Sequence, residues 1–351
     1  MYSTSTPTTT PRLTHSPLLS LRYPNIILTN RLQPSAIVTQ ADCAACDFNS
    51  ATNGCKRPME WTWRGDYLPA TLGDYRQVQH QFAAAGGENG EPWGEVRKDE
   101  QARLIKNRLR AYSRTVYHKT KVTEEVDKVD TVCMRENPFY VNTVRDFRDR
   151  RYVYKGLTKS SKKELSTMES AGDVEGAKGA FDKVLLYDSL QLAHKCILNS
   201  FYGYVMRKGA RWRSMPMAAI VTLTGATLIT KARELVEQLG RPLELDTDGI
   251  WLILPKSFPE NFKLNLAGGG SVGVEYPCLM LNADVHDNYT NHQYQALKDP
   301  ATQQYDTQSE CSIFFEVDGP YRAMVLPAST EEGKLLKKKY VWREERACCC
   351  H

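Results

Sequence analysis

Two acids set between apolar runs constrain this chain more than anything else in it. The segment Pro242-Leu243-Glu244-Leu245-Asp246-Thr247-Asp248-Gly249-Ile250-Trp251-Leu252-Ile253-Leu254 reads as two strands joined by a tight, acid-bearing turn that Gly249 can relax. Unpaired carboxylates are costly to bury. Asp246 and Asp248 at such a junction therefore suit a hard cation such as Mg²⁺, and a paired-ion site suits phosphoryl or nucleotidyl transfer. The plainer alternative is a polar hairpin turn, since Asp-Gly is a common turn signal.

A chain of 351 residues can bury a sizeable core and hold two or more units. Its formal charge of +5 permits a polyanionic partner without requiring one. Ten cysteines, unevenly spread, do not make a disulfide-dense secreted scaffold. No early apolar stretch resembles a signal peptide, and no run of about 20 apolar residues is read as a membrane span. The expected setting is intracellular and reducing, with no membrane partner. The Ala-Gly-Gly-Gly-Ser run at 267–271 lacks the pattern of a phosphate loop.

The Thr/Ser/Pro-rich residues 1–20 are expected to be a disordered or non-native leader, and 341–351, ending Cys348-Cys349-Cys350-His351, an aberrant tail. Tyr23-Pro24-Asn25-Ile26-Ile27-Leu28 is expected as a strand or a sharp strand-to-helix turn. Residues 98–121 are charged and helical, and 139–168 and 181–200 form a helical hairpin broken at 170–178. A small-residue helix at 215–239 ends at Gly240-Arg241-Pro242, with Gly240 as its C-terminal cap. Ile313–Val317 and Tyr321–Leu326 are expected to pair as a hairpin turned by Asp318-Gly319-Pro320. The sum is an α+β fold.

Arg151 and Lys155 lie one helical turn apart, as do Lys195 and Asn199, and Tyr202-Gly203 closes the later helix. Facing basic helices can clamp a triphosphate by neutralising charge on the leaving pyrophosphate. The alternative is two solvated basic faces. Cys43-Ala44-Ala45-Cys46 followed by Cys55 has the spacing of thiolates that hold zinc or an iron–sulfur cluster, with Cys133 as the fourth ligand. Spacing alone favours zinc, and cysteines with no shared ligand are the alternative.

Lys195-Cys196-Ile197-Leu198-Asn199-Ser200-Phe201-Tyr202-Gly203 resembles motif B of the family B DNA polymerases. Leu245-Asp246-Thr247-Asp248-Gly249 is similar to their motif C, and Tyr23-Pro24-Asn25-Ile26-Ile27 to the end of motif A. The resemblance runs over about residues 23–340. It implies a palm of antiparallel sheet and helices, helical fingers, and an inserted metal-bound domain. The implied divisions are palm start with a cysteine loop at 21–59, an inserted processivity-type domain at 60–133, fingers at 134–212 and palm at 213–340.

The same resemblance implies nucleotidyl transfer from a deoxynucleoside triphosphate to a primer terminus on template DNA, in the nucleus, with accessory subunits in a full-length protein. It makes Asp246 and Asp248 Mg²⁺ ligands and catalytic residues. Tyr23 becomes the steric gate against a ribose 2′-hydroxyl. Arg151, Lys155, Lys195, Asn199 and Tyr202 meet the incoming nucleotide, and Arg207 and Lys208 touch the template strand. In one branch of the family cysteines matching Cys43, Cys46, Cys55 and Cys133 carry a [4Fe–4S] cluster, which turns the metal reading from zinc to iron–sulfur. The family's motif A begins with an aspartate five residues before the gate; here that position is Leu18, and no acid precedes Asp42. The missing carboxylate implies impaired catalysis, or a DNA-binding remnant with a structural metal site, or a mis-joined or partial gene product.

Overall fold

The computed structural model describes residues 12–17, 22–87, 91–245, 249–255, 258, 261–316, 318–325 and 341–344. The chain divides into two compact units, Met1–Glu60 with Val129–His351, and Trp61–Lys128. In order it runs β1 (Arg12–Pro17), α1 (Arg22–Thr29), β2 (Ile37–Val38), α2 (Gln40–Ala44) and β3 (Lys56–Tyr67). Then come α3 (Leu72–Ala85), α4 (Lys98–Val116) and β4 (Val122–Cys133). The rest is α5 (Phe139–Ala171), α6 (Val174–Val205), α7 (Met215–Glu237), β5 (Arg241–Leu245), β6 (Gly249–Leu254), β7 (Asn261–Asn265), β8 (Ser271–Glu275), α8 (Tyr276–Tyr289), β9 (Asn291–Asp299), β10 (Gln304–Glu310), β11 (Asp318–Val325) and β12 (Val341–Glu344). The mixture of helices and antiparallel strands is α+β.

The first unit is built on a sheet of order β12-β11-β1-β6-β5. Strands β5 and β6 pair antiparallel with Leu245 opposite Ile250. Ile250, Trp251, Leu252 and Leu254 are all buried, as a strand covered on both faces requires. The expected leader behaves otherwise: Arg12–Pro17 is a strand, pairing with β6 on one side and β11 on the other. The expected tail also contributes, since β12 pairs with β11. The partners of β1 lie hundreds of residues away, so the Thr/Ser/Pro composition gives no sign of the pairing.

Among the described residues the expected hairpin between 313–317 and 321–326 does not appear; Val317 and Leu326 lie outside them. Phe315 donates its N–H to Asn282 Oδ1 at 2.6 Å and accepts from Asn282 Nδ2 at 2.9 Å. β11 pairs with β1 and β12.

Of the two expectations for Tyr23–Leu28, a strand or a strand-to-helix turn, the second is nearer: β1 ends at Pro17 and helix α1 begins at Arg22. Pro24 falls in its first turn, where a missing N–H costs nothing. Ile26, Ile27, Leu28 and Leu32 are 0% exposed, and α1 packs against α5, α6 and α7. Burial on every side, not strand pairing, explains that apolar run. Helix α7 starts at Ser214, whose hydroxyl accepts from the Met217 N–H at 3.3 Å. By length and composition alone α7 could cross a membrane, contrary to the sequence expectation. Met217, Ile220, Val221, Leu228, Ala232 and Val236 are buried in protein, which accounts for its apolar character. Gly240 follows the helix without being its left-handed cap. A Cβ there would lie 2.3 Å from the Ile253 carbonyl oxygen, so close approach of β6 is what demands glycine.

Helices α5 and α6 form the expected antiparallel hairpin, but its break is shorter. Gly172, at φ +73°, ends α5, and the Asp173 carboxylate caps α6 through the Gly176 N–H at 2.9 Å. The rings of Tyr140–Phe201, Phe147–His194 and Tyr154–Tyr187 meet at 5.5, 5.7 and 6.5 Å and fix the register.

The second unit has its own small core of Val78, Ile105 and Leu109, with Leu68, Ala70, Phe82 and Trp93 against it. Thr71 and Asp74 form a reciprocal cap on α3. Arg103, Lys106, Arg108, Arg110 and Arg114 line the exposed side of α4.

Candidate functional site

Two tyrosines far apart in the sequence, Tyr23 and Tyr202, meet at the start of helix α1. Tyr23, in its first turn, stacks on Tyr202 of α6 with ring centroids 4.3 Å apart and planes 11° from parallel. The Tyr202 hydroxyl donates to the Ala218 carbonyl of α7 at 3.3 Å, tying the end of α6 to α7. Lys195, Asn199 and Tyr202 share one face of α6. Lys195 is half-buried and Asn199 exposed.

The basic pair on α5 splits in character. Arg151 is 5% exposed, and burial lowers its pKa while Tyr152 and Glu316 oppose that loss. Lys155, one turn on, is exposed and lies 3.8 Å from the Glu316 carboxylate. Lys155 thus has the free reach that a phosphate contact needs, and Arg151 is chiefly a buried charge. Asp246 and Asp248, with Leu18, lie outside the described residues; the register of β5 and β6 fixes only the strands that flank the acids.

The four cysteines line one cavity. A reciprocal cap between Thr39 and Asp42 starts α2, which carries Cys43, and the Cys46 N–H returns to the Cys43 carbonyl at 3.3 Å. Gly54, at φ +55°, turns the chain into Cys55. The Met134 N–H donates to the Cys55 carbonyl at 2.8 Å, which brings Cys133 beside it. All four are free thiols. The cavity, of about 230 Å³, is also lined by Val38, Asp42, Asn49, Lys56 and Glu136. Among the described residues no three His, Cys, Asp or Glu side chains converge on a point that would hold one ion.

Two features went unforeseen. On the face of α6 away from Lys195, an apolar groove of about 420 Å³ is lined by Tyr140, Cys196, Ile197, Ser200, Phe201, Tyr204 and Trp212. Trp212 meets Tyr140 and Tyr204 edge-on, each at 6.3 Å; the recurrence of aromatics through 201–212 is the signal that could have revealed it. Behind the cysteine loop, Arg135 stacks over Phe48 and Tyr305 at 5.1 and 4.6 Å, and nothing in local sequence marks that contact.

The sequence profile of DNA polymerase family B matches residues 159–258. Over 338 residues, 94% of this chain, it is 55% identical to the catalytic subunit of DNA polymerase epsilon from Candida glabrata. The corresponding proteins from Saccharomyces cerevisiae and Schizosaccharomyces pombe are 53% and 52% identical, again over 94% of this chain. The chain spans about 15% of the length of these relatives. Among solved structures, the family B DNA polymerase of the archaeon Pyrobaculum calidifontis overlays 96% of this chain and 26% of its own, with a TM-score of 0.41 and 14% identity.

Proposed function

Since this chain belongs to the family B DNA polymerases, we propose that it carries the palm and fingers of a DNA-directed DNA polymerase of the epsilon kind. It binds primer–template DNA and a deoxynucleoside triphosphate, acts in nuclear DNA replication, and works with the accessory subunits of an epsilon holoenzyme. The observation that carries this reading is the Tyr23–Tyr202 stack. It sets the gate tyrosine of motif A against the end of the motif B helix, on the face that holds Lys195 and Asn199. A nucleotide resting there meets an aromatic floor, a cation and an amide. A ribose 2′-hydroxyl would collide with the Tyr23 ring, which selects deoxynucleotides by exclusion.

Asp246 and Asp248 would hold Mg²⁺ at the β5–β6 turn. When bound, the metal activates the primer hydroxyl and neutralises the triphosphate. Lys195 and Lys155 supply fixed positive charge to the phosphates, and Asn199 orients the nucleotide. Unit 61–128 would serve as the processivity-type insert, meeting duplex phosphates with the exposed cations of α4. Cys43, Cys46, Cys55 and Cys133 would hold a [4Fe–4S] cluster, a reading supported by their shared cavity, with structural zinc the alternative.

Leu18 favours a second reading, a DNA-binding remnant that has lost catalysis. Primer extension with Mg²⁺ separates the two. The expected result is salt-sensitive binding of primer–template, nucleotide binding weakened by Lys195→Ala, and extension that is feeble at best. Failure to bind either primer–template or nucleotide would overturn both readings. Robust extension abolished by Asp248→Ala would remove the remnant reading.

A further inference from the structure

The loop that follows α6 is pinned back onto that helix. The Ser214 N–H returns to the Val205 carbonyl at 3.1 Å, and Gly209, at φ +80°, turns the chain between them. The Arg211 N–H donates to the Tyr204 hydroxyl at 3.3 Å. This seats the next residue, Trp212, edge-on against Tyr140 of α5 and Tyr204 of α6 in the apolar groove. So fixed, the indole is still 46% exposed, and Phe139, 6.4 Å from it, is 65% exposed. Large rings held in place and left in water mark a surface that meets a partner.

The lining decides the chemistry of that partner. The Tyr140 hydroxyl donates to the Phe201 carbonyl at 3.0 Å, the Ser200 hydroxyl donates to the Cys196 carbonyl at 2.8 Å, and the Tyr204 hydroxyl accepts from Arg211. These polar atoms are engaged within the protein, which leaves carbon faces to an occupant. The loop beside the groove is cationic. Arg207, Lys208, Arg211 and Arg213 are all exposed, and none makes an ion pair among the described residues. No acid stands between Asp188 and Glu234 in the sequence. An occupant that answers both features is flat, apolar and joined to negative charge, which describes a nucleobase on its phosphate backbone. In a duplex the base faces are taken by neighbouring bases, so an unpaired base is the one that fits.

We propose that this groove is a base-stacking subsite for single-stranded DNA, taking an unpaired base of the template overhang against Trp212 while the cations of 207–213 hold its phosphates. The inference rests on the polymerase reading above and adds a second DNA contact to it. Lys195 and Asn199 project from one side of α6, and Ile197, Ser200 and Tyr204 from the other. A helix with its side chains is about 10–12 Å across, so a strand must run several nucleotides past the nucleotide face to reach the groove.

The test uses the whole chain and fluorescence anisotropy of three labelled DNAs at one salt concentration. They are a blunt duplex, a primer–template with a 5′ overhang of about 10 nucleotides, and the same overhang built of abasic sites. The wild type is expected to hold the normal overhang about tenfold tighter than either of the others. Trp212→Leu should lose that advantage and bind the blunt duplex as before. Trp212→Phe, which keeps an aromatic face, should retain most of it. Equal wild-type affinity for normal and abasic overhangs would overturn the proposal and leave the polymerase reading standing. So would a loss of binding to all three DNAs in both variants, which would make Trp212 a residue of the fold. A wild-type dimer in sedimentation that Trp212→Leu dissociates would assign the groove to a protein partner and overturn it as well. Failure of the wild type to bind any of the three DNAs would sink the polymerase reading itself, and this proposal with it.

Discussion

The rings of Tyr23 and Tyr202 lie 4.3 Å apart and nearly parallel, joining residues 179 positions apart in the chain. This contact couples the first turn of α1 to the last turn of α6. An offset aromatic pair contributes about 0.5–1.5 kcal/mol beyond its buried area. A double-mutant cycle with Tyr23→Ala and Tyr202→Ala, followed by urea unfolding, should therefore return a coupling of roughly 1 kcal/mol. Tyr23→Ala should also narrow the preference for deoxynucleotides over ribonucleotides in binding. Strict additivity of the two substitutions would show that the rings do not support one another.

Arg151 and Lys155, one turn apart, should respond to substitution in opposite ways. Lys155 is exposed and only loosely paired with Glu316, so Lys155→Ala should cost less than about 1 kcal/mol of stability. Its effect should appear as weaker nucleotide binding. Arg151 is buried, and truncating it to alanine leaves a cavity and unpaired neighbours, at a cost of about 2–4 kcal/mol. Thermal melts of both variants beside nucleotide titrations would check this; equal losses of stability would contradict it.

Gly240 tests the tight approach of β6. A methyl group there meets the Ile253 carbonyl at 2.3 Å, a backbone atom that cannot swing aside. Gly240→Ala should destabilise by about 1–3 kcal/mol, read from the urea midpoint. By contrast Gly179→Ala, on α6 with open space around it, should be neutral or stabilising. The reverse ranking would refute the steric account.

How much of this was legible beforehand depends on the range of the forces involved. The β5–β6 strands and the α5–α6 hairpin follow from local apolar periodicity and a Gly-Asp break, and the sequence marks both. Strand β1 was invisible because its partners, β6 and β11, are more than 230 residues away. The run Ile26-Ile27-Leu28 left strand and strand-to-helix turn open because apolar residues buried on every side look alike in a strand and in a core helix. At Phe315 the Asn282 side chain bonds both backbone groups, a long-range contact that the local pattern does not show. At the site, Tyr23 and Tyr202 were each marked by motif, yet nothing in the sequence said that they stack.

Acid should loosen the second unit through Asp74. Hydrogen bonds from the Thr71 backbone and hydroxyl, and then from Tyr117, hold its carboxyl below the usual carboxylate range. A depressed folded pKa contributes stability that is present above the unfolded value of 3.8 and is lost as pH falls through the folded value. Trp93, packed against Val78, Ile105 and Leu109, reports on that unit's core. The acid transition of its fluorescence should therefore begin below about pH 4 and move to higher pH in Thr71→Val. An unshifted transition would remove Asp74 from the account.

Leu18 offers the sharpest chemical test. On the proposed reading Asp246 and Asp248 are metal ligands, and the position that matches the family's other acid is Leu18, a hydrocarbon. A leucine has no lone pair to offer Mg²⁺, so on that reading one of the two metal-bridging carboxylates is missing. Leu18→Asp restores an oxygen donor at the matching position. If the nucleotide face of Lys195, Asn199 and Tyr202 is intact, extension should rise by on the order of a hundredfold, a few kcal/mol of transition-state stabilisation. Nucleotide affinity should change much less, because those contacts do not depend on residue 18. Adding Asp248→Ala should erase the gain. Single-turnover extension by the parent, Leu18→Asp and the double variant would decide the matter. No gain in the single variant, with nucleotide binding intact, would mean that more than one carboxylate separates this chain from catalysis.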